Sequence, residues 1–267
     1  MSEPVPVFEA KRWVEKTSAG GTRSQVFELR DSRYAIVKFP ENPQGIRVLV
    51  NEFICCSLAD MLELPVNRAL LVSIDGRLLK DPQSRGECPP EFTGGIRCGL
   101  IRYPDAVHIA QDQLGANVEN SDEIHALDVF DALVTRGDGR QLLAYPVQPH
   151  SNSKKNFAAI DYGYAFGGSP TWTPESFKGF PDPVLPMKNP LTGLDYTDGA
   201  LLKPMIDKLR SLTQENLCAA LTRIHPPRWE VSVDDLQALA EVLNQRRLSL
   251  ISQFDTCHKK QMEVFNE

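Results

Sequence analysis

Lys38, in the stretch AIVKF, keeps the β-branched and aromatic company that a strand favours, and a lysine on a central strand needs an anion. Two anions are on offer. One is a nucleotide phosphate; the other is Glu52 of VNEF, which a helix packed on the sheet would aim back at the strand. Ahead of both lies KTSAGGTRS, whose Gly20 and Gly21 would let backbone N–H groups approach a phosphate that a Cβ would block. Far downstream the apolar run FAAI ends in Asp161, followed by Tyr162 and Gly163, and such a run would bury a carboxylate without an evident partner. A hard carboxylate at a strand end suits Mg²⁺ bridging nucleotide phosphates. In this order the residues fit phosphoryl transfer from ATP, a reaction that asks a protein mainly for positioning and charge stabilisation.

VTRGDGRQLLA is open to two readings. As a solvated turn, Gly137 and Gly139 would supply unusual dihedrals while Arg136 and Arg140 stay in water. As a catalytic loop, Asp138 would meet the acceptor hydroxyl.

These residues have to be positioned by elements the pattern predicts. SQVFELRD and SRYAIVKF read as a strand hairpin across Asp31 and Ser32, and ENPQG breaks the pattern. A helix is then expected from about Ile46, with Val50, Ile54, Leu58 and Leu62 on one buried face, widened by Leu49, Phe53 and Ala59. LPVNRALLVSIDGRLL suggests two further strands around the Asp75-Gly76 turn, and the Pro-rich stretch KDPQSRGECPPEFTGG suggests the junction between lobes. Beyond it the reading is mainly helical: SDEIHALDVFDALV with Ser121 or Asp122 as N-cap, then LLKPMIDKLRSL, TQENLCAALTRI and VSVDDLQALAEVLNQRRLSLISQF. A short strand is expected between the Asp138 loop and FAAI. The prediction is an α/β (α+β) chain, with a sheet-containing N-lobe over 1–95 and a mainly helical C-lobe over 96–267.

Bulk properties narrow the class of function. The 267 residues are 42% hydrophobic and carry a net charge of −6 with no long single-sign run, which speaks against a nucleic-acid footprint or a polybasic membrane anchor. There is no signal-peptide pattern at the N-terminus and no run of apolar residues able to span a bilayer, so a cytoplasmic protein is expected, with neither nucleic acid nor membrane as partner. The six cysteines have no CxxC spacing and read as reduced, mostly packing thiols. Trp172 and Trp229 read as packing anchors. The five histidines show no metal-ligand spacing, His125 reads as a packed or surface residue, and neither a Ser-His-Asp order nor a GxSxG elbow occurs.

A strand lysine, a helix glutamate and a glycine loop, followed in order by a polar loop and a strand-end aspartate, are the parts of a kinase. The sequence resembles the HipA-like kinases, in particular the short stand-alone group distantly related to phosphoinositide kinases. GGTRSQ, YAIVKFPENPQGIRVLVNEF, LADMLELPV, IDYGYAFGGSPTWTPESF and HPPRW with the following DDLQALAEVLNQRR helix carry the resemblance over nearly the whole chain. It implies a bilobal protein-kinase-like fold, ATP and Mg²⁺ between the lobes, Lys38 on the phosphates and oriented by Glu52, and Asp161 on the metal.

The resemblance also implies a catalytic loop of the form Asn-x-Asp-Arg-His, two residues, then a metal-binding Asn. This chain departs from it, with no histidine, a loop about two residues shorter, and Gln141 where that Asn stands. Asp138 is then the candidate to orient or accept the proton of the acceptor hydroxyl, ahead of Asp131. Ser24 lies in the loop that carries an autophosphorylated serine in that family, though an ordinary loop hydroxyl is the preferred reading, and Gln25 is assigned to the same loop. A Ser/Thr protein acceptor is implied. The altered loop raises a nucleotide-binding pseudokinase scaffold as the rival, and a small-molecule or lipid kinase would share the same site.

Overall fold

A computed structural model of the chain describes residues 5–17, 21–81, 87–114, 117–148, 154–167, 171–188, 196, 199–223 and 229–265. Five strands of the N-terminal part close into a barrel in the order β1-β2-β3-β5-β4: β1 (Val7–Lys16), β2 (Gln25–Leu29), β3 (Tyr34–Lys38), β4 (Ala69–Ile74) and β5 (Gly95–Ile101). The predicted hairpin is β2 and β3, in antiparallel register from Gln25↔Val37 to Glu28↔Tyr34. β1, VFEAKRWVEK, is mostly exposed and lacks a clear apolar alternation. It becomes a strand by pairing with β2 on one side and, in parallel, with β4 on the other, while its exposed positions keep their polar residues and Ala10 and Trp13 face the barrel core.

Two expectations are corrected here. The stretch after Asp75 forms no second strand: the Asp75 carboxylate accepts the Arg77 N–H, and the chain tightens into a 3-10 turn over Leu78–Lys80. The Pro-rich stretch that follows is no lobe junction. It connects two paired barrel strands, β4 and β5, and its described residues are anchored by Phe92, stacked on Phe39 with ring centroids 4.3 Å apart. The barrel therefore extends past residue 95 to Ile101, and the chain leaves it there.

α1 (Arg47–Met61) packs between the barrel and the rest of the chain. It is covered nearly all round rather than on one face, because Phe53 meets Trp229 edge-on at 5.5 Å and the first turns meet the segment after Asp161. The second part begins with β6 (Val107–Ile109), which joins β7 (Gln141–Pro146) and β8 (Lys155–Ile160) in a small antiparallel sheet. Between β6 and β7 runs α2 (Ile124–Val134), entered through a 3-10 turn at Ser121–Glu123 with no side-chain cap from Ser121 or Asp122. α3 (Lys203–Ser211), α4 (Gln214–Arg223) and α5 (Val233–Phe265) complete it. Ser232 and Asp235 cap α5 reciprocally, each side chain accepting the other's backbone N–H.

The result is a mixed α/β molecule with a sheet-rich N-terminal part and a mainly helical C-terminal part, as the pattern predicts. Trp172 and Trp229 are buried, as are four of the free cysteines. His125 is buried too, its Nδ1 2.9 Å from the Tyr196 hydroxyl. No helix among the described residues is long and apolar enough to cross a membrane.

Candidate active site

β3 delivers Lys38 at its end, α1 delivers Glu52 from its second turn, and β8 delivers Asp161 just beyond its last residue. The three meet. Lys38 Nζ lies 2.8 Å from Glu52 Oε2 and 3.2 Å from Asp161 Oδ1. Burial works against the ammonium, but the Glu52 and then the Asp161 carboxylate outweigh it and hold the Lys38 pKa above that of an ordinary lysine. Glu52 is fully buried and its Oε1 has no hydrogen-bond partner among the described residues. Lys38 is thus the charge that makes a buried Glu52 tolerable.

Asp161 sits in the left-handed region at φ 63°, a conformation that aspartate and asparagine tolerate better than most residues. Arg136 holds it there: one guanidinium nitrogen donates to the Ile160 and Asp161 carbonyls at 2.9 and 3.0 Å, and the group lies 4.4 Å above the Tyr162 ring. The Asp161 side chain keeps 37% of its surface exposed, so it can meet a ligand. Gln141, the first residue of β7, brings its amide nitrogen to within 3.0 Å of Asp161 Oδ2.

The TRGDGRQ loop follows neither of its two readings in full. Both arginines are buried, Arg136 with 3% and Arg140 with 10% of the side chain exposed, so it is no solvated turn. Nor do Gly137 and Gly139 have positive φ; Thr135 does, at 50°, as the left-handed cap of α2. The Gly137 N–H then donates to the Tyr164 carbonyl at 3.0 Å, pinning the loop to the stretch after Asp161.

Arg140 reaches back to two carboxylates of α2, Asp128 Oδ1 at 2.8 Å and Asp131 Oδ2 at 2.7 Å, and Tyr162 donates its hydroxyl to Asp131 Oδ1. Both Asp131 oxygens are therefore engaged, whereas among the described residues Asp138 is held only by an ion pair with Arg136. Asp138 Oδ1 stands 3.4 Å from Arg136 Nε. Partial burial raises the Asp138 pKa, Arg136 opposes that, and the charge of Asp161 adds to it. Arg140→Met would strand Asp128 and Asp131 without their cation, and is expected to lower unfolding free energy by about 3 kcal/mol in a urea titration.

Of the glycine loop, Gly20 lies outside the described residues. A Cβ on Gly21 would come within 2.5 Å of the Gln44 side chain, so the loop rests on the turn that leads into α1. Ser24 and Gln25 are brought near but face inward: the Ser24 hydroxyl pairs with Thr22 at 2.8 Å, and the Gln25 amide joins Trp13 Nε1 to the Arg23 carbonyl. Their side chains brace the hairpin. Among the described residues no group of three or more His, Cys, Asp or Glu could hold a metal ion by itself.

Sequence reasoning missed the supports. Arg140 had a readable signal in the DVFD of α2, whose two acids share a helix face. Asn51 had a fainter one, as a carboxamide inside the apolar run VLVNEFICC, and it too is fully buried. Gly163 abuts α1 so closely that a Cβ would fall 2.6 Å from Val48 Cγ1. Gly163→Ala is expected to cost about 1–3 kcal/mol by overpacking, measurable as a lower thermal midpoint.

No family model matches the chain, and no curated protein matches its sequence. Solved structures match its shape. The Helicobacter pylori proinflammatory kinase CtkA superposes with a TM-score of 0.56 at 13% identity, covering 97% of this chain and 99% of that one. The Golgi casein kinase gives 0.51 at 12% identity, covering 94% of this chain and 72% of that one. At these identities the likeness concerns fold alone. The chain has a bilobal, kinase-like fold.

Proposed function

We propose that this chain is an ATP- and Mg²⁺-dependent phosphotransferase of the HipA-like type, with a Ser/Thr hydroxyl of a protein as acceptor. The observation that carries the reading is the convergence of Lys38, Glu52, Asp161 and Gln141, drawn from both parts of the molecule, on one point between them. A kinase-like fold supports it, since such a fold places these positions at the phosphates.

The residues fit the metal. Asp161 is a partly exposed hard oxygen donor of the kind Mg²⁺ takes when phosphates and waters complete its shell, and Gln141, whose amide nitrogen faces Asp161 Oδ2, would join it by turning its amide oxygen to the ion. Asp161 and Gln141 would hold the ion, which when bound neutralises charge on the phosphates being separated. Lys38 binds phosphate oxygens and Glu52 fixes its direction. Arg136 keeps the Asp161 backbone in its left-handed geometry so that the carboxylate faces the cleft. Asp138 orients the acceptor hydroxyl and takes its proton as the oxygen attacks. With its pKa raised, Asp138 loses its proton-accepting form at a higher pH than an ordinary aspartate would as solutions become acidic. The acid limb of kcat is therefore expected above the usual aspartate range, and Asp138→Asn is expected to remove it together with most of the rate.

A cytoplasmic protein or small molecule, rather than nucleic acid or membrane, fits as the partner. The experiment is thermal stabilisation by ATP with and without Mg²⁺, for the wild type and Asp161→Asn. Stabilisation that needs Mg²⁺ in the wild type and loses that need in the variant supports the assignment. Indifference to ATP in both overturns it.

A second reading, a nucleotide-binding scaffold without transfer, is favoured by Arg140. In the shortened loop its guanidinium is taken up by Asp128, Asp131 and Gln111, and Arg136 is committed to the carbonyls of Ile160 and Asp161, which leaves neither loop arginine turned to a phosphate. Binding without turnover would establish it. Transfer to a non-protein hydroxyl, with no labelled polypeptide, would instead mark a small-molecule or lipid kinase.

A further inference from the structure

Asn51 precedes Glu52 on α1 and is fully buried. A leucine in its place would pack without the cost of a buried carboxamide, so its hydrogen bonds deserve an account. All of them go to one stretch of chain. Nδ2 donates to the Gly163 carbonyl at 2.8 Å and the Ala165 carbonyl at 3.3 Å, and Oδ1 accepts the Trp172 indole N–H at 2.6 Å.

The neighbours of Asn51 on the same helix face act on the same stretch. Val48, three residues earlier, touches Gly163, and Arg47, four residues earlier, stacks its guanidinium 4.4 Å above the Trp172 ring. Arg47 also pairs with Asp235 in the first turn of α5 at 3.1 Å. Trp172 is in turn packed by Phe166 and Phe177. Successive residues of a helix point about 100° apart, so Asn51 can face this stretch while Glu52 faces Lys38 in the barrel.

We propose that Asn51 is a positioning residue of the transfer site, and that with Trp172 it forms a latch that fixes α1 so that Glu52 meets Lys38. The proposal builds on the phosphotransferase reading but concerns a coupling that exists without nucleotide. Movement of residues 163–167 or 171–180 reaches Lys38 through this latch, with α5 holding its far side through Arg47.

The test reads Lys38 directly. The full-length protein, free of nucleotide, is pulsed with acetic anhydride, and acylation of each lysine is followed by peptide mass spectrometry. The exposed Lys11 and Lys16 serve as references. Trp172→Phe deletes only the indole N–H and keeps a ring; Asn51→Leu keeps the volume. Each is expected to raise Lys38 acylation roughly tenfold, the scale of a lost buried hydrogen bond. Leu250→Ala, a buried α5 site about four turns beyond Asp235, controls for general loosening and is expected to leave Lys38 slow. In a Glu52→Gln background, Asn51→Leu should add little, because the pair it positions is already broken.

An unchanged Lys38 rate in both latch variants, or an equal rise in Leu250→Ala, overturns the proposal. A wild type that never transfers phosphate overturns the proposed function and leaves this result standing. Loss of the acylation difference leaves any transfer activity intact.

Discussion

Lys38→Met is expected to lower the unfolding free energy by about 3–5 kcal/mol, because it strands a buried carboxylate without its cation. Glu52 is fully buried and uses one oxygen on Lys38, while the other has no hydrogen-bond partner among the described residues. Among the described residues no second donor stands ready to replace the ammonium. The companion variant Lys38→Met/Glu52→Leu replaces the pair with apolar groups of similar size and is expected to return close to wild-type stability. Urea denaturation of the three proteins measures both steps. A single variant as stable as the double would mean that Glu52 finds another partner and that the pair is not what holds it. The Lys38 contribution is insensitive to pH in the working range: a lysine pKa raised on folding contributes its full stabilisation below the unfolded value, and that is lost only as pH climbs through the folded one.

Asp161→Asn is expected to reduce phosphoryl transfer on the order of a thousandfold or more, the scale at which a charge-stabilising group at a reacting centre acts. Asparagine is the right replacement because the residue sits at φ 63°, where Asn is tolerated nearly as well as Asp. The backbone that Arg136 clamps through the Ile160 and Asp161 carbonyls should stay in place. The side chain is more than a third exposed, so its ion pair with Lys38 contributes little to stability. A large loss of rate with a small change in thermal midpoint is thus expected. Equal losses of rate and stability would assign Asp161 to the fold rather than to the chemistry.

Much of this architecture is legible in the sequence where local chemistry and periodicity agree. The β2-β3 hairpin, α1, α2 and α5 each carry an apolar period with turn residues at the ends, and AIVK, NE and FAAID mark where they deliver charge. β1 was illegible because VFEAKRWVEK is mostly exposed, and its strand conformation comes from the partners on either side of it in the barrel. β5 was hidden for a related reason, since a Pro-rich excursion before it looks like a boundary and only the long-range pairing with β4 shows otherwise.

The supports of the site were harder still. Arg136 and Arg140 beside glycines look wet in one dimension. Their burial follows from acceptors brought by other elements, the carbonyls at the end of β8 and the carboxylates of α2. Asn51 likewise acquires its meaning from Trp172, far along the chain.

The central claim is that the Lys38, Glu52 and Asp161 cluster transfers phosphate from ATP to a hydroxyl. Its most direct test is the intact mass of the purified protein and of a mixed Ser/Thr peptide pool after incubation with ATP and Mg²⁺, run beside Asp161→Asn. The account predicts a gain of phosphate on protein or peptide with the wild type and none with the variant. Gain in both, or in neither while ATP is bound, would contradict it.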